Sequence, residues 1–234
     1  WQQPDSGIWE VRGGVRHFVY SKLLCWTALD RGARLAREQG FTAPLQHWQQ
    51  TADEIRKAIL EHGYNRDIGA FTQSFDDDHL DASVLAMPRF GFLPAKDPRF
   101  QSTIELIQKR LTYEGMVKRY EAPLGLTSGP EATFVLCTFW MVDALTFSGR
   151  LDEARQLFEC LTGYANDVGL MAEEIDPYSS TDKLLGNFPQ GFSHMALIGA
   201  AVNMSAAAEF GAEEEALTEP ERAEKGAAAT GAAG

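Results

Sequence analysis

The stretch from Glu131 to Phe147 is apolar almost without interruption, whereas the next, Leu151 to Ala165, is apolar only along a stripe of Leu151, Ala154, Leu157, Phe158 and Leu161. A helix that is apolar all round has to be enclosed by other elements, and a helix with a single apolar stripe lies on the outside of something. The same alternation occurs upstream. Val15 to Glu38 carries Phe18, Leu24, Trp26, Leu29, Ala33 and Ala36 over much of its circumference and predicts a buried helix. Pro44 to His62 places Leu45, Trp48, Ala52, Ile55 and Ile59 at spacings of three and four, which predicts an outer one. Asp97-Pro98 opens another single-striped helix, with Phe100, Ile104, Ile107 and Leu111 on its face and proline in the first turn, where its missing N–H is no loss. The alternation predicts an all-α fold of inner and outer helices. By itself it is compatible with a barrel or with a plain bundle.

Two acidic segments interrupt this pattern. In Pro4 to Gly14 a carboxylate, Glu10, directly follows Trp9 in a glycine-punctuated turn leading into a helix. An indole beside a carboxyl group can disfavour its anion and so produce a proton donor, although the same pair also occurs as a structural cap. In Gly169 to Pro177, Glu173, Glu174 and Asp176 lie in a loop bounded by glycine and proline. Such a loop can be no more than a solvated connection, but the run that follows, Leu184 to His194, is apolar and punctuated by glycine and proline, as in packed loops.

These segments together resemble glycoside hydrolase family 15, which includes glucoamylases, glucodextranases and some bacterial trehalose hydrolases. The resemblance is to the bacterial branch and covers residues 1 to about 211. It rests on Asp5-Ser6-Gly7-Ile8-Trp9-Glu10-Val11-Arg12-Gly13-Gly14, Arg16-His17-Phe18-Val19-Tyr20-Ser21-Lys22, Glu131-Ala132-Thr133-Phe134-Val135-Leu136-Cys137-Thr138-Phe139-Trp140, and Glu173-Glu174-Ile175-Asp176-Pro177 followed by Leu185-Gly186-Asn187-Phe188-Pro189-Gln190. It implies the C-terminal part of an incomplete (α/α)6 toroid with its active site in loops at one end. The activity implied is inverting hydrolysis of α-glucosidic bonds in an α-linked oligosaccharide or disaccharide, with Glu10 as general acid and Glu173 as general base. Such a pair stands about 6.5–9.5 Å apart to admit the attacking water. Trehalose hydrolysis is the alternative within the family, and a non-catalytic helical scaffold is the alternative outside it.

The resemblance also implies that Trp9, Arg119, Tyr120 and Glu131 bind substrate. Each has a structural alternative: a core tryptophan, a surface ion pair for the arginine segment, and a carboxylate favoured by a helix dipole at Glu131. Val11 stands where fungal glucoamylases carry a second acid, and Ile175 where the family usually has an aromatic residue. Both departures leave substrate identity open.

Asp76-Asp77-Asp78-His79-Leu80-Asp81 fits no calcium loop, since it lacks the turn glycine and the distal glutamate. A helix N-cap with a solvated acidic lead-in is expected, and neither metal nor cofactor. Residues 65–75 read as a short strand or extended loop. Ser193-His194 with Asp176 is not read as a hydrolase triad, because helix neighbours diverge and no Gly-x-Ser-x-Gly elbow occurs. From 212 to 234 the chain turns to glutamate, alanine and glycine, and a disordered tail is expected. Cys25, Cys137 and Cys160 show no metal or redox spacing; buried, reduced thiols in a cytoplasmic protein are expected. The net charge of −12 opposes a nucleic-acid partner, no apolar run predicts a membrane span, and a start at Trp1 reads as a piece of a longer polypeptide.

Overall fold

The computed structural model describes residues 1–10, 14–121, 132–176, 178–179 and 183–216, the last six by backbone. Among the described residues, six helices carry the fold: α1 (Val19–Gln39), α2 (Leu45–His62), α3 (Pro98–Arg110), α4 (Val135–Phe147), α5 (Leu151–Thr162) and α6 (Gly191–Ala216). A 3₁₀ turn, Ala82–Ala86, lies between α2 and α3 and is buried throughout. Three small antiparallel ladders connect the helices. They pair β1 (Tyr64–Asn65) with β2 (Ala70–Phe71), β3 (Thr112–Tyr113) with β4 (Met116–Val117), and β5 (Thr133–Phe134) with β6 (Glu174–Ile175), which continues to β7 (Leu184–Leu185).

The layering follows the apolar patterns. α4 is buried on all sides and is packed by α5, α6 and the 3₁₀ turn; the turn in its other direction meets α1. Inner elements therefore run α1, 3₁₀ turn, α4, α6. α2, α3 and α5 are the outer helices, burying single stripes such as Ala52, Ile55 and Ile59 on α2 and Phe100, Thr103, Ile104 and Ile107 on α3. Asp97 caps α3 by accepting the Arg99 N–H at 2.9 Å, ahead of Pro98. The buried charged residue of α4 is Asp143, which accepts from Asn203 of α6 at 2.9 Å and from Arg89 at 3.2 Å. Burial nevertheless pushes its carboxyl above the ordinary range.

Several expectations are corrected. α1 starts at Val19 rather than Val15, because residues 16 and 18 are extended and paired with Asp5 and Ser74. It buries one face only: Val19, Leu23, Trp26, Ala33 and Ala36 are covered, whereas Leu24 and Leu35 are exposed. α6 likewise buries Ser193, Ala196 and Ala200 and exposes Phe192, Met195, Ile198 and Val202. The apolar stretch at 131–147 opens as strand β5, so its helix begins at Val135. Cys160 is exposed, since α5 is one-sided, while Cys137 is buried; among the described residues no disulfide joins cysteines. α6 extends to Ala216, so helical backbone enters the segment expected to be disordered from 212 on. No helix among the described residues is long and apolar enough to cross a membrane.

Phe139 of α4 is fully enclosed and meets Phe158 of α5 edge-on, with ring centroids 5.8 Å apart. In urea unfolding, Phe139→Ala is expected to lower stability by about 3–5 kcal/mol. Leu35→Ala, on the uncovered face of α1, is expected to stay within about 0.5 kcal/mol of the parent.

Candidate functional site

The starts of the four inner elements are joined by a continuous chain of contacts. Val19 donates to the Gln73 carbonyl at 2.9 Å, the Gln73 side chain donates to Asp81 at 3.2 Å, and Asp81 pairs with Tyr120. Arg119 lies over the Phe134 ring at 5.3 Å, Phe134 faces Glu174 across the β5–β6 ladder, and Glu173 is hydrogen-bonded to Asn187 and Gln190 at the entrance to α6. The two acidic segments, distant in sequence, belong to this one end of the fold.

The segment carrying Glu10 is tied down at its base. Asp5 and Arg16 exchange backbone hydrogen bonds at 2.9 Å in each direction. The Asp5 carboxylate accepts from the Ser21 hydroxyl at 2.6 Å, the Gly7 N–H at 2.8 Å and Lys22 Nζ at 3.2 Å. Lys22 is buried, and its ammonium also donates to the Gln3 carbonyl at 2.7 Å. Burial works against ionisation of Asp5, but Ser21, Gly7 and Lys22 outweigh it and hold the carboxyl below the ordinary range.

Trp9 is half-buried. Its ring meets Phe134 edge-on at 5.6 Å and Trp140 at 6.1 Å, and its indole N–H donates to Asp81 at 2.9 Å. Asp81 is buried and also receives the Ser83 N–H at 2.8 Å, capping the 3₁₀ turn. Burial pushes its carboxyl above the ordinary range although every one of these contacts opposes the shift. Glu10 follows in the left-handed region at φ 49° and is exposed. The indole is thus turned towards the protein interior, and the enclosure of Glu10 expected from the sequence is not provided among the described residues.

Glu173 is held differently. Its Oε2 accepts from the Asn187 N–H and from Asn187 Nδ2, each at 2.9 Å, and Oε1 accepts from Gln190 Nε2 at 3.1 Å. Its own N–H donates to the Asn187 carbonyl, and its carbonyl accepts from Val135, both at 3.0 Å. Gly186, at φ +71°, backs directly onto this carboxylate: a Cβ there would stand 2.6 Å from Oε2. Oε1, with one donor against two on Oε2, keeps room to accept from a water molecule. Ile175, two residues on in β6, is buried.

Arg119 pairs with Glu174 at 3.6 Å besides covering Phe134, and it also flanks the Tyr120 ring at 5.7 Å. Glu131 lies outside the described residues. Asn187, Gln190, Gly186 and Asp81 were not singled out from the sequence. Ser193 and His194 are supports: Ser193 donates to the Ala172 carbonyl at 2.8 Å, and His194 Nε2 accepts the Met171 N–H at 3.2 Å. In the acidic lead-in Asp76 and Asp78 are solvated as expected. Asp77 is not, since it receives Ser74 at 2.7 Å, His79 at 2.7 Å and Arg16 at 3.5 Å. Although Asp77, Asp78 and His79 bring possible metal ligands together, Asp77 is already occupied by protein donors.

The chain is similar to known proteins. The family profile described as "Glycosyl hydrolases family 15" matches residues 1–202. A trehalase of Mycobacterium tuberculosis is 48% identical over 219 residues, which cover 92% of this chain and 31% of that protein. A trehalase of Thermoplasma volcanium is 39% identical over 208 residues, 88% of this chain and 33% of that protein. The chain therefore spans about a third of the length of the curated relatives it matches. Among solved structures, a glycosidase in complex with glucose superposes with a TM-score of 0.75 at 19% identity, covering 88% of this chain and 56% of that one. A bacterial glucoamylase complexed with acarbose gives 0.67 at 17% identity, covering 82% and 34%. The fold is that of an incomplete (α/α)6 toroid.

Because the ionised form of Asp5 is favoured on folding, its contribution is complete above the ordinary carboxylate pKa and is lost as pH falls through the lowered folded value. Followed by tryptophan fluorescence, Asp5→Asn is expected to lack that part of the acid-side decline. The variant is also expected to be less stable at neutral pH by about 3 kcal/mol, because Lys22 is left in a buried site without its carboxylate partner.

Proposed function

The chain belongs to glycosyl hydrolases family 15, and from that premise we propose that it forms, with its residues 1–211, the C-terminal portion of the catalytic domain of an inverting α-glucoside hydrolase. The observation that carries the reading is the triple hydrogen-bond cradle of Glu173, joined through β5 and Phe134 to the Trp9-Glu10 turn. Glu10 protonates the glycosidic oxygen as the C–O bond breaks. Glu173 takes a proton from the water that attacks C1 from the opposite face, and both carboxyl groups return to their starting states through solvent. Arg119, Tyr120 and Glu131 serve substrate binding, the guanidinium by its fixed fork of donors, whereas the Trp9 indole, held by Asp81, Phe134 and Trp140, supports Glu10 instead of the sugar.

Trehalose is the substrate of choice for this reading, ahead of the glucans suggested first by the sequence, because relatives at 48% and 39% identity are named trehalases. The apolar stripes left open on α1 and α6 are supporting features: they are the faces on which the remaining helices of the toroid would pack. The isolated chain is accordingly inactive or weak and prone to association. A cytoplasmic setting is supported by Cys25, Cys137 and Cys160 being free thiols.

The test is hydrolysis of trehalose and maltotriose by the full-length polypeptide, including the part its relatives possess beyond this chain, with the product anomer followed by NMR. Release of β-glucose, and loss of about 10²–10⁴-fold in kcat for both Glu10→Gln and Glu173→Gln, is expected. Undiminished turnover in either variant would show the pair to be misassigned, and no turnover of any α-glucoside by the parent would favour a helical scaffold. Gly186→Ala, which drives a methyl group into Glu173, is expected to lower kcat by about 10²-fold with KM little changed, as for a misplaced base.

A further inference from the structure

Asp81 carries more than its place in the fold demands. Capping the 3₁₀ turn requires one oxygen, Oδ1, which takes the Ser83 N–H at 2.8 Å; a serine or asparagine would do as much. The second oxygen, Oδ2, leaves the cap and collects two side-chain donors from elsewhere, Trp9 Nε1 at 2.9 Å and Gln73 Nε2 at 3.2 Å. A carboxylate that is only 2% exposed bears a desolvation penalty, so its retention there calls for something the cap alone does not supply.

That something lies one residue beyond Trp9. Glu10 stands in the left-handed region at φ 49°, a conformation that a non-glycine residue keeps only when its surroundings over-determine it. The apolar contacts of Trp9 with Phe134 and Trp140 hold the indole plane in place but are not directional. The indole N–H bond to Asp81 is directional, and it sets the rotation of the ring and of the backbone that leads into Glu10. Asp81 is itself fixed to the rest of the site. It pairs with Tyr120, its neighbour Ala82 donates to the Arg119 carbonyl at 2.8 Å, and Gln73 ties it to the start of α1.

We propose that Asp81 is a positioning residue for proton donation: by holding the Trp9 indole, it aims the carboxyl group of Glu10 at the glycosidic oxygen. The proposal rests on the reading of Glu10 as general acid. Proton transfer needs the donor oxygen within about 2.6–3.2 Å of the leaving oxygen, so a small rotation at Trp9 removes the acid without removing the substrate. Asparagine at position 81 preserves size but turns one of two acceptors into an N–H donor that faces other N–H donors.

The experiment compares two substrates in the full-length polypeptide. When trehalose is cleaved, its second glucose departs through the glycosidic oxygen, which must be protonated as the C–O bond breaks. α-Glucosyl fluoride loses fluoride without that help, while using the same base and the same glucose-binding contacts. Asp81→Asn and Trp9→Phe, which removes only the indole N–H donor and part of the ring, are each expected to lower kcat on trehalose by about 10²-fold while changing turnover of the fluoride by less than about threefold. The double variant is expected to be no worse than the poorer single one. Glu10→Gln, measured beside them, must show the same selectivity. If it does and neither Asp81→Asn nor Trp9→Phe does, whether through a uniform loss on both substrates or through none, the role assigned to Asp81 is wrong. If Glu10→Gln itself shows no selectivity, the acid has been misidentified and the positioning role falls with it. Thermal unfolding identifies a variant that has lost its fold; Trp9→Phe then decides the matter alone.

Discussion

An α-helix without a polar face has to be surrounded, and α4 imposes that condition on everything around it. Val135, Cys137, Phe139, Trp140, Met141, Val142 and Leu145 point in all directions and are all buried. α5 covers one side, α6 another and the 3₁₀ turn a third. Asp143 decides which way α6 lies, because its buried carboxylate requires the Asn203 and Arg89 donors that this arrangement brings to it. With α4 in the centre, α1 and α6 continue the inner row, and the connections before each inner element gather at one end.

That end is organised by carboxylates acting as acceptors. Asp5 receives Ser21, Gly7 and Lys22; Asp81 receives Trp9, Gln73 and Ser83; Glu173 receives Asn187 twice and Gln190. Short polar loops have little apolar surface with which to fix themselves, and charge-assisted hydrogen bonds supply the missing rigidity. Preorganisation of this kind is what a two-carboxylate reaction needs, since groups that must reorient during proton transfer lose rate. The differing environments of the proposed acid and base also suit their tasks. Glu173 is locked by three donors, whereas Glu10 is exposed at the end of an anchored turn.

Where the sequence misled, the reason is physical. Val15 belongs to an apolar pattern yet is exposed, because the backbone beside it is engaged in pairing with Asp5, and a helix cannot begin until that pairing ends. Cys160, expected to be buried like the other cysteines, lies on the open side of α5. Asp77 looked like one member of a solvated acidic run, but Ser74, His79 and Arg16 draw it inward. Ser193 and His194, which resemble fragments of a nucleophilic site, in fact seat α6 against the loop of Glu173. Asn187 and Gln190 lie in a run whose apolar, punctuated composition indicated packing, but nothing in the run itself tells that their side chains converge on one carboxylate.

Periodicity depends on neighbours along the chain, so the amino-acid sequence alone determined that α4 is enclosed, that α2, α3 and α5 bury one stripe each, and where proline and Asp97 open α3, but not that α1 buries one face only. Its motifs also determined the family. Hydrogen bonds between residues far apart in sequence depend on how the helices stack, which no local pattern encodes. Only the tertiary structure could therefore decide that Asp81 holds Trp9, that Gly186 lies against Glu173, and that the beginnings of the inner helices share one end.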